Sequence, residues 1–116
     1  MASIRLLAMT GSARRESFNR KILRVLVAGA ERAGAKVTQV EPYAYPLPLY
    51  DGDLEASSGL PEAATELQQL FAEHDGLLLA CPEYNGFFSP LLKNTLDWVS
   101  RPMADGRPGT IHVRGK

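Results

Sequence analysis

Residues Gly76-Leu77-Leu78-Leu79-Ala80-Cys81 form an almost unbroken apolar run. The run is too short for a buried helix, and it has no polar alternate that would face water. It therefore reads as a strand covered on both faces, the condition of a parallel sheet held between helices. This one segment restricts the chain to layered α/β architectures, and the rest of the sequence supplies the layers. Ile4–Met9 is a second short apolar run, stopped by Thr10-Gly11-Ser12. Ser17 is an N-cap residue type, and residues 18–33 after it have helical spacing. Ile22, Leu23, Leu26, Val27 and Ala30 share one face, Arg20, Arg24 and Glu31 lie elsewhere, and Gly34 is a natural stop. Residues 36–40 alternate apolar with polar and read as another strand, ended by Pro42.

Residues 43–59 carry Pro46, Pro48, Gly52 and Gly59 and read as one long loop, of a kind that often carries function. Pro61 starts a second helix with Ala63, Leu67, Leu70 and Phe71 facing inward. After the apolar run, residues 82–88 read as a loop. Ser89 then caps a third helix with Pro90 in its first turn and Leu92, Leu96 and Val99 on one face. Residues 103–116, with Gly106, Pro108, Gly109 and Gly115, have little periodicity and read as an irregular tail. The order is β-α-β-α-β-α, which predicts a parallel sheet with helices on both faces. Such sheets bind ligands beyond the carboxyl ends of their strands, where the strand order reverses. The loops after the first and third strands both lie at that end.

Composition narrows the function classes. The chain has 116 residues, the size of one domain, and is 45% hydrophobic and 22% charged. Thirteen basic residues balance thirteen acidic ones, so no nucleic-acid or membrane partner is expected. No apolar stretch approaches the roughly 20 residues that span a bilayer, and residues 1–9 are too short and strand-like for a signal peptide. Cys81 is the only cysteine, which excludes an internal disulfide and points to a reducing compartment, the cytoplasm.

The first of the two loops, residues 10–19, joins a strand to a helix start. Gly11 permits a tight turn, Ser12 and Ser17 offer hydroxyls, Arg14 a fixed charge and Asn19 an amide. With the free N–H groups of the helix start, they make an anion cradle suited to a phosphate monoester. The helix dipole alone would contribute only about 0.3–1 kcal/mol, so the hydroxyls and the arginine must supply most of the affinity. A polar turn with an ordinary N-cap would use the same residue types. The loop lacks G-x-G-x-x-G and is not followed by G-K-[ST], so neither a dinucleotide fingerprint nor a Walker loop is present. The second loop, Pro82-Glu83-Tyr84-Asn85-Gly86, has a constrained path, backbone amides, an amide side chain and an aromatic ring. It suits the edge of a planar heterocycle, or else a solvent-facing turn.

Taken together, Gly11-Ser12-x-Arg14-x-x-Ser17-x-Asn19, Pro82-Glu83-Tyr84-Asn85-Gly86 and Leu92-Lys93-Asn94-x-x-Asp97-Trp98 resemble the NADPH-dependent FMN reductase family, which includes quinone, chromate and azo-dye reductases. The resemblance extends from Ile4 to Arg101. It implies a flavodoxin-like three-layer α/β sandwich with a parallel sheet, of which only the first three β-α units are present. It also implies FMN as cofactor, NADPH or NADH as co-substrate, a small-molecule electron acceptor, and a homodimer or homotetramer. Ser12, Arg14, Ser17 and Asn19 would bind the FMN phosphate, with Gly11 in the turn and Phe18 contributing backbone. Pro82, Glu83, Tyr84, Asn85 and Gly86 would hold the isoalloxazine ring. Lys93, Asp97 and Trp98 would be structural and subunit-interface residues. No side chain is expected to be a nucleophile or general base, because the flavin carries the chemistry.

Two departures from the family pattern matter. Where the family often has Gly-Ser-x-Pro-Gly, this chain has Gly86-Phe87-Phe88-Ser89-Pro90, which puts two phenylalanines near the expected substrate face. Family members also continue for two more β-α units. Residues 1–116 are therefore expected to be a partial FMN-binding domain, with the third strand at an edge and reduced catalytic power. The competing readings are a reductase that releases reduced FMN to another enzyme and a non-catalytic flavin-binding or interaction module. A receiver domain of the same fold is excluded, because the acidic cluster expected after the first strand is missing. Cys81 reads as a buried inert thiol. His74 and His112 lack partners at metal-ligand spacing. Asp51 and Asp53 read as parts of a solvated loop rather than an acid/base pair.

Overall fold

The computed structural model describes residues 3–11, 18–84 and 87–103. Strands β1 (Arg5–Thr10), β2 (Lys36–Val40) and β3 (Gly76–Ala80) form one sheet in the order β2-β1-β3. Both pairings are parallel, with Met9 opposite Val40 on one side and Leu79 on the other. Helix α1 (Phe18–Arg32) links β1 to β2. A 3₁₀ turn at Pro42–Ala44 and helices α2 (Gly52–Ser58) and α3 (Glu62–Ala72) lie between β2 and β3. Two short strands, β4 (Glu83–Tyr84) and β5 (Phe87–Phe88), pair antiparallel before α4 (Pro90–Val99).

Alternation along β1 divides the core in two. Leu7 and Met9 point to one face and join Val40, Leu67 of α3, Phe71 and Val99 of α4. Ala8 points to the other face and packs with Leu23 and Val27 of α1 and with Ala80. Helices therefore lie on both faces of the sheet at β1. Among the described residues β1 is the central strand and β3 is an edge. Leu77 and Leu79 of β3 are 40% and 38% exposed, which matches a sheet of three β-α units better than a fully covered strand.

Helix α1 ends as Gly34 predicts. Gly34 has φ +101°, its N–H donates to Glu31 O, and the Ala35 N–H donates to Ala30 O. These are the paired bonds of a Schellman cap. Of the five apolar residues expected on its inner face, Leu23 and Val27 are buried, whereas Ile22 and Leu26 remain exposed. In α3 the inward face carries Ala64 and Gln68 as well as Leu67 and Phe71, while Ala63 and Leu70 are half-buried. The buried Gln68 donates from Nε2 to Arg101 O at 2.7 Å, tying α3 to the end of α4.

Residues 43–59 are not one long loop. Asp51 caps α2 by accepting the Asp53 N–H at 2.8 Å and the Leu54 N–H at 3.4 Å, so it is a capping residue rather than a solvated loop carboxylate. The stretch before α2 is pinned to α4. Pro48 O accepts the Trp98 indole N–H at 2.8 Å and the Asn94 side-chain amide at 2.9 Å, and Asn94 Oδ1 accepts the Tyr50 N–H at 2.7 Å. Trp98 is fully buried and meets the Tyr50 ring edge-on, with centroids 4.8 Å apart. Trp98 is thus a core residue of its own chain and unavailable as a subunit-interface residue; the surface ion pair of this helix is Lys93–Asp97.

Glu55 of α2 accepts from Arg101 Nε, 3.0 Å from both oxygens, and from the Tyr50 hydroxyl at 2.8 Å. The Arg101 hydrogen bond and then the Tyr50 hydroxyl hold the Glu55 carboxyl below its ordinary value. A carboxylate lowered in the folded state stabilises fully above its unfolded pKa, and that contribution is lost as pH falls through the lowered folded value. The stability difference between wild type and Glu55→Gln is therefore expected to be present at neutral pH and to shrink on acidification below the ordinary glutamate range. Thermal midpoints measured across pH check this; a difference independent of pH would contradict it.

Candidate functional site

The carboxyl ends of β1 and β3 meet at the point where the sheet changes direction. From β1 the chain crosses one face through α1 to β2. From β2 it crosses the other face through α3 to β3. The switch point in strand order therefore lies between the carboxyl ends of β1 and β3, the place where sheets of order 2-1-3 take FMN or other small molecules.

Gly11 leaves β1 and donates its N–H to Ala80 O at 2.8 Å, extending the β1–β3 pairing by one bond past the strand. Its φ is not positive, unlike those of Gly34 and Gly59. The reason for glycine is space. A Cβ at this position would sit 2.5 Å from Cys81 Sγ and 2.8 Å from Ser89 Oγ. A close-approach requirement thus accounts for glycine here, and the expected turn after it lies outside the described residues. Thr10 beside it is buried, 2% exposed.

Ser89, which is 1% exposed, is the N-cap of α4 and accepts the Leu92 N–H at 3.2 Å, with Pro90 following it in the first turn. Its hydroxyl donates to Gly11 O at 2.5 Å. Cys81 Sγ lies 3.3 Å from both the Ser89 N–H and the Ser89 hydroxyl, and 3.4 Å from Pro82 O. Cys81 is half-buried rather than buried, and it packs where the two loops diverge. The sequence reading recognised Ser89 as a helix cap but missed its bond to Gly11, because no local pattern shows a contact across 78 positions.

Phe18 and Asn19 begin α1. The Phe18 side chain is 73% exposed, consistent with a backbone role. Asn19 is half-buried, and its side chain makes no hydrogen bond to the described residues. The first N–H groups of α1 have no intrahelical acceptor and lie at the β1 end, which suits an anion. Thr10, Arg20, Leu23, Arg24, Gln39, Val40 and Glu41 line a polar groove of about 180 Å³ beside α1. There Arg20 makes a two-pronged ion pair with Glu41.

Pro82 is half-buried directly after β3, and Glu83 and Tyr84 run as β4 beside β5. Within the stretch expected to be a loop, Glu83–Tyr84 and Phe87–Phe88 are thus paired strands. Of the remaining expected site residues, Ser12, Arg14, Ser17, Asn85 and Gly86 lie outside the described residues, as do residues 104–116 of the expected tail, including His112. Met103, placed in that tail by its sequence, is 9% exposed and belongs to the core. His74 uses both ring nitrogens in packing, at 2.6 Å from Leu70 O and 2.8 Å from Thr38 Oγ1.

A family model for NADPH-dependent FMN reductases matches residues 4–116. The chain is 37% identical over 113 residues to a 2-hydroxy-1,4-benzoquinone reductase of a Burkholderia species, covering 94% of this chain and 59% of that protein. It is 38% identical over 101 residues to an NADPH:quinone oxidoreductase of Arabidopsis thaliana, covering 85% of this chain and 50% of that protein. Among solved structures it superposes on FerB, a flavoenzyme NAD(P)H:(acceptor) oxidoreductase from Paracoccus denitrificans, with a TM-score of 0.72 at 32% identity. That match covers 89% of this chain and 54% of FerB, so the fold is a flavodoxin-like α/β fold of which this chain spans little more than half. The motifs, the strand order and these likenesses agree, and the chain belongs to the NADPH-dependent FMN reductase family.

Proposed function

We propose that this chain forms the FMN-binding part of an NAD(P)H-dependent oxidoreductase that passes electrons through FMN to a small acceptor such as a quinone. The observation that carries the reading is the junction of β1 and β3. There the start of the phosphate loop and the start of the ring loop are tied together through Gly11, Ala80, Cys81 and Ser89. The residues present fit the cofactor. The first turn of α1 follows the candidate phosphate loop, and its N–H groups have no acceptor within the helix, while Asn19 in that turn is half-buried. The quinone reductases among the relatives support a quinone acceptor.

In this reading Ser12, Arg14, Ser17 and Asn19 hold the phosphate, with Gly11 and Phe18 contributing backbone. Pro82, Glu83, Tyr84, Asn85 and Gly86 line the ring. FMN, when bound, supplies the hydride and electron chemistry, and the protein orients the ring and shields it from water. Nicotinamide and acceptor would use one face in turn, giving ping-pong kinetics. Residues 1–116 constitute a partial flavodoxin-like domain acting in the cytoplasm. The outer face of α4, where Lys93 and Asp97 pair, is the proposed dimer or tetramer contact; sedimentation showing only monomer at micromolar concentration would refute that part.

The test is the visible absorption spectrum of the purified chain with FMN, before and after NADPH under exclusion of oxygen. Bound flavin that bleaches and is restored by a quinone is the expected result. Bound flavin that does not bleach favours a binding module, and absence of binding overturns the reading. Arg14→Ala is expected to weaken FMN by about 1.5–3 kcal/mol, the range for hydrogen bonds to charged groups, while leaving riboflavin nearly unchanged. Fluorescence titration with both flavins measures this, and equal weakening of the two would remove Arg14 from the phosphate site.

A further inference from the structure

We infer that the groove between α1 and the end of β2 holds the phosphorylated ribose of NADPH, with Arg24 on the phosphate that NADH lacks. This inference rests on the reading of the chain as part of an NAD(P)H-dependent flavoenzyme and deepens it. It names the end of the co-substrate that is recognised and the residue that recognises it.

Two periodicities build the groove, and every residue that lines it is among the described ones. On α1, Arg20, Leu23, Arg24 and Val27 are three and four positions apart and share one side of the helix. Leu23 and Val27 are buried against the sheet, and the two arginines stand one turn apart beside them. On β2, Val37 packs on the same cluster, and alternation turns Gln39 to the same face. Like charges four residues apart on a helix repel each other. The fold relieves one of them: Arg20 pairs with Glu41 and lies 5.8 Å from the centre of the Tyr43 ring. The side chains of Arg24 and Gln39 make no hydrogen bond or ion pair to the described residues. Two arginines against one glutamate leave the groove with a positive charge in excess. Arg24 therefore adds repulsion to the helix that the fold does not offset and that a bound anion would.

Size and place identify the anion. The groove of about 180 Å³ is smaller than the roughly 300–1,000 Å³ of a pocket for a whole ligand, so it takes one end of a larger molecule. Thr10 lines the groove on one side of β1 and pairs with Ala80 of β3 on the other, at the junction proposed for the flavin. A molecule with one end in the groove thus has its other end beside that junction. The co-substrate of the proposed reaction has this form, with the nicotinamide at one end and, in NADPH, a phosphate monoester on the adenosine ribose at the other. A guanidinium matches a phosphate with two parallel N–H donors, and the Gln39 amide offers both a donor and an acceptor to the ribose and its phosphate.

The experiment saturates the chain with FMN, which fills the flavin's own phosphate site. It then titrates adenosine 2′-phosphate, adenosine and inorganic phosphate by calorimetry against wild type, Arg24→Gln and Arg32→Gln. Both arginines are exposed on α1, and Arg32 lies outside the groove, so the second variant removes the same charge without touching the site. The expected result is that wild type and Arg32→Gln bind adenosine 2′-phosphate about tenfold more tightly than adenosine, the fold-change of one charge-assisted hydrogen bond. Arg24→Gln is expected to lose that preference and to keep its affinity for FMN. Equal binding of the two adenosines by wild type, an unchanged preference in Arg24→Gln, or an equal loss in Arg32→Gln would overturn the inference. Inorganic phosphate binding as tightly as adenosine 2′-phosphate would overturn the nucleotide assignment. Failure of the wild type to take up FMN would overturn the flavin reading instead, and the same titrations on the flavin-free chain then decide the groove separately.

Discussion

Replacing Trp98 by alanine is expected to destabilise the chain by about 3–5 kcal/mol, the range for truncating a large buried aromatic. Trp98 is 0% exposed, and its ring carries two connections at once. It meets Tyr50 edge-on and donates to Pro48 O. A domain of this size is stable by only about 5–15 kcal/mol, so the substitution removes a large share of the total. Trp98→Phe separates volume from hydrogen bonding. It keeps most of the ring, and Pro48 O retains its bond from Asn94, so a loss of about 1 kcal/mol is expected. Urea unfolding of the two variants measures both values. A cost below about 1 kcal/mol for the alanine variant would show that the indole does not hold the segment before α2 against α4.

Substitution of Gly11 by alanine is expected to cost stability in the upper part of the about 1–3 kcal/mol range for overpacking, and to abolish most FMN affinity. The added Cβ would lie 2.5 Å from Cys81 Sγ, 2.8 Å from Ser89 Oγ and 3.1 Å from Cys81 Cβ. None of these atoms is the end of a long side chain that can swing away. Cys81 and Ser89 are short, and Ser89 is held by its own hydrogen bonds. The strain therefore falls on the junction from which both candidate ligand loops start. Cys81→Ala should be mild alone and should recover part of the loss in a Gly11→Ala background, since residues in contact are not additive. Strictly additive costs in the double variant would contradict the close approach of Gly11 to Cys81.

The same junction shows where sequence is informative and where it stops. Local signals were legible. Gly34 ends α1 in the left-handed region, Ser89 and Pro90 start α4, and residues 76–80 of the apolar run form a parallel strand, although Leu77 and Leu79 are exposed. A local signal was also present at Asp51, an N-cap residue type followed by Asp53 and Glu55 in a first turn, but the prolines and glycines around it read as loop. Non-local facts were not legible. The hydrogen bond of Ser89 to Gly11 and the clamp of Trp98 and Asn94 on Pro48 join residues that nothing in the local pattern relates. The helical period of α1 placed Ile22 and Leu26 on the inner face with Leu23 and Val27, yet only the latter two are buried. Periodicity gives the direction of a face, whereas its width depends on how much sheet and how many neighbouring helices cover it. The candidate site is read from two loops that follow β1 and β3, and only their first residues are among the described ones. What the structure adds is the side-chain network beneath them.

The central claim is that the β1–β3 crevice is built for a flavin that carries a phosphate. The most direct test is the affinity of the wild-type chain for FMN and for riboflavin, which share the ring and differ in the phosphate. The account predicts at least a tenfold preference for FMN, the least expected from a single charge-assisted hydrogen bond of about 1.5 kcal/mol. Equal affinity for the two flavins would contradict it.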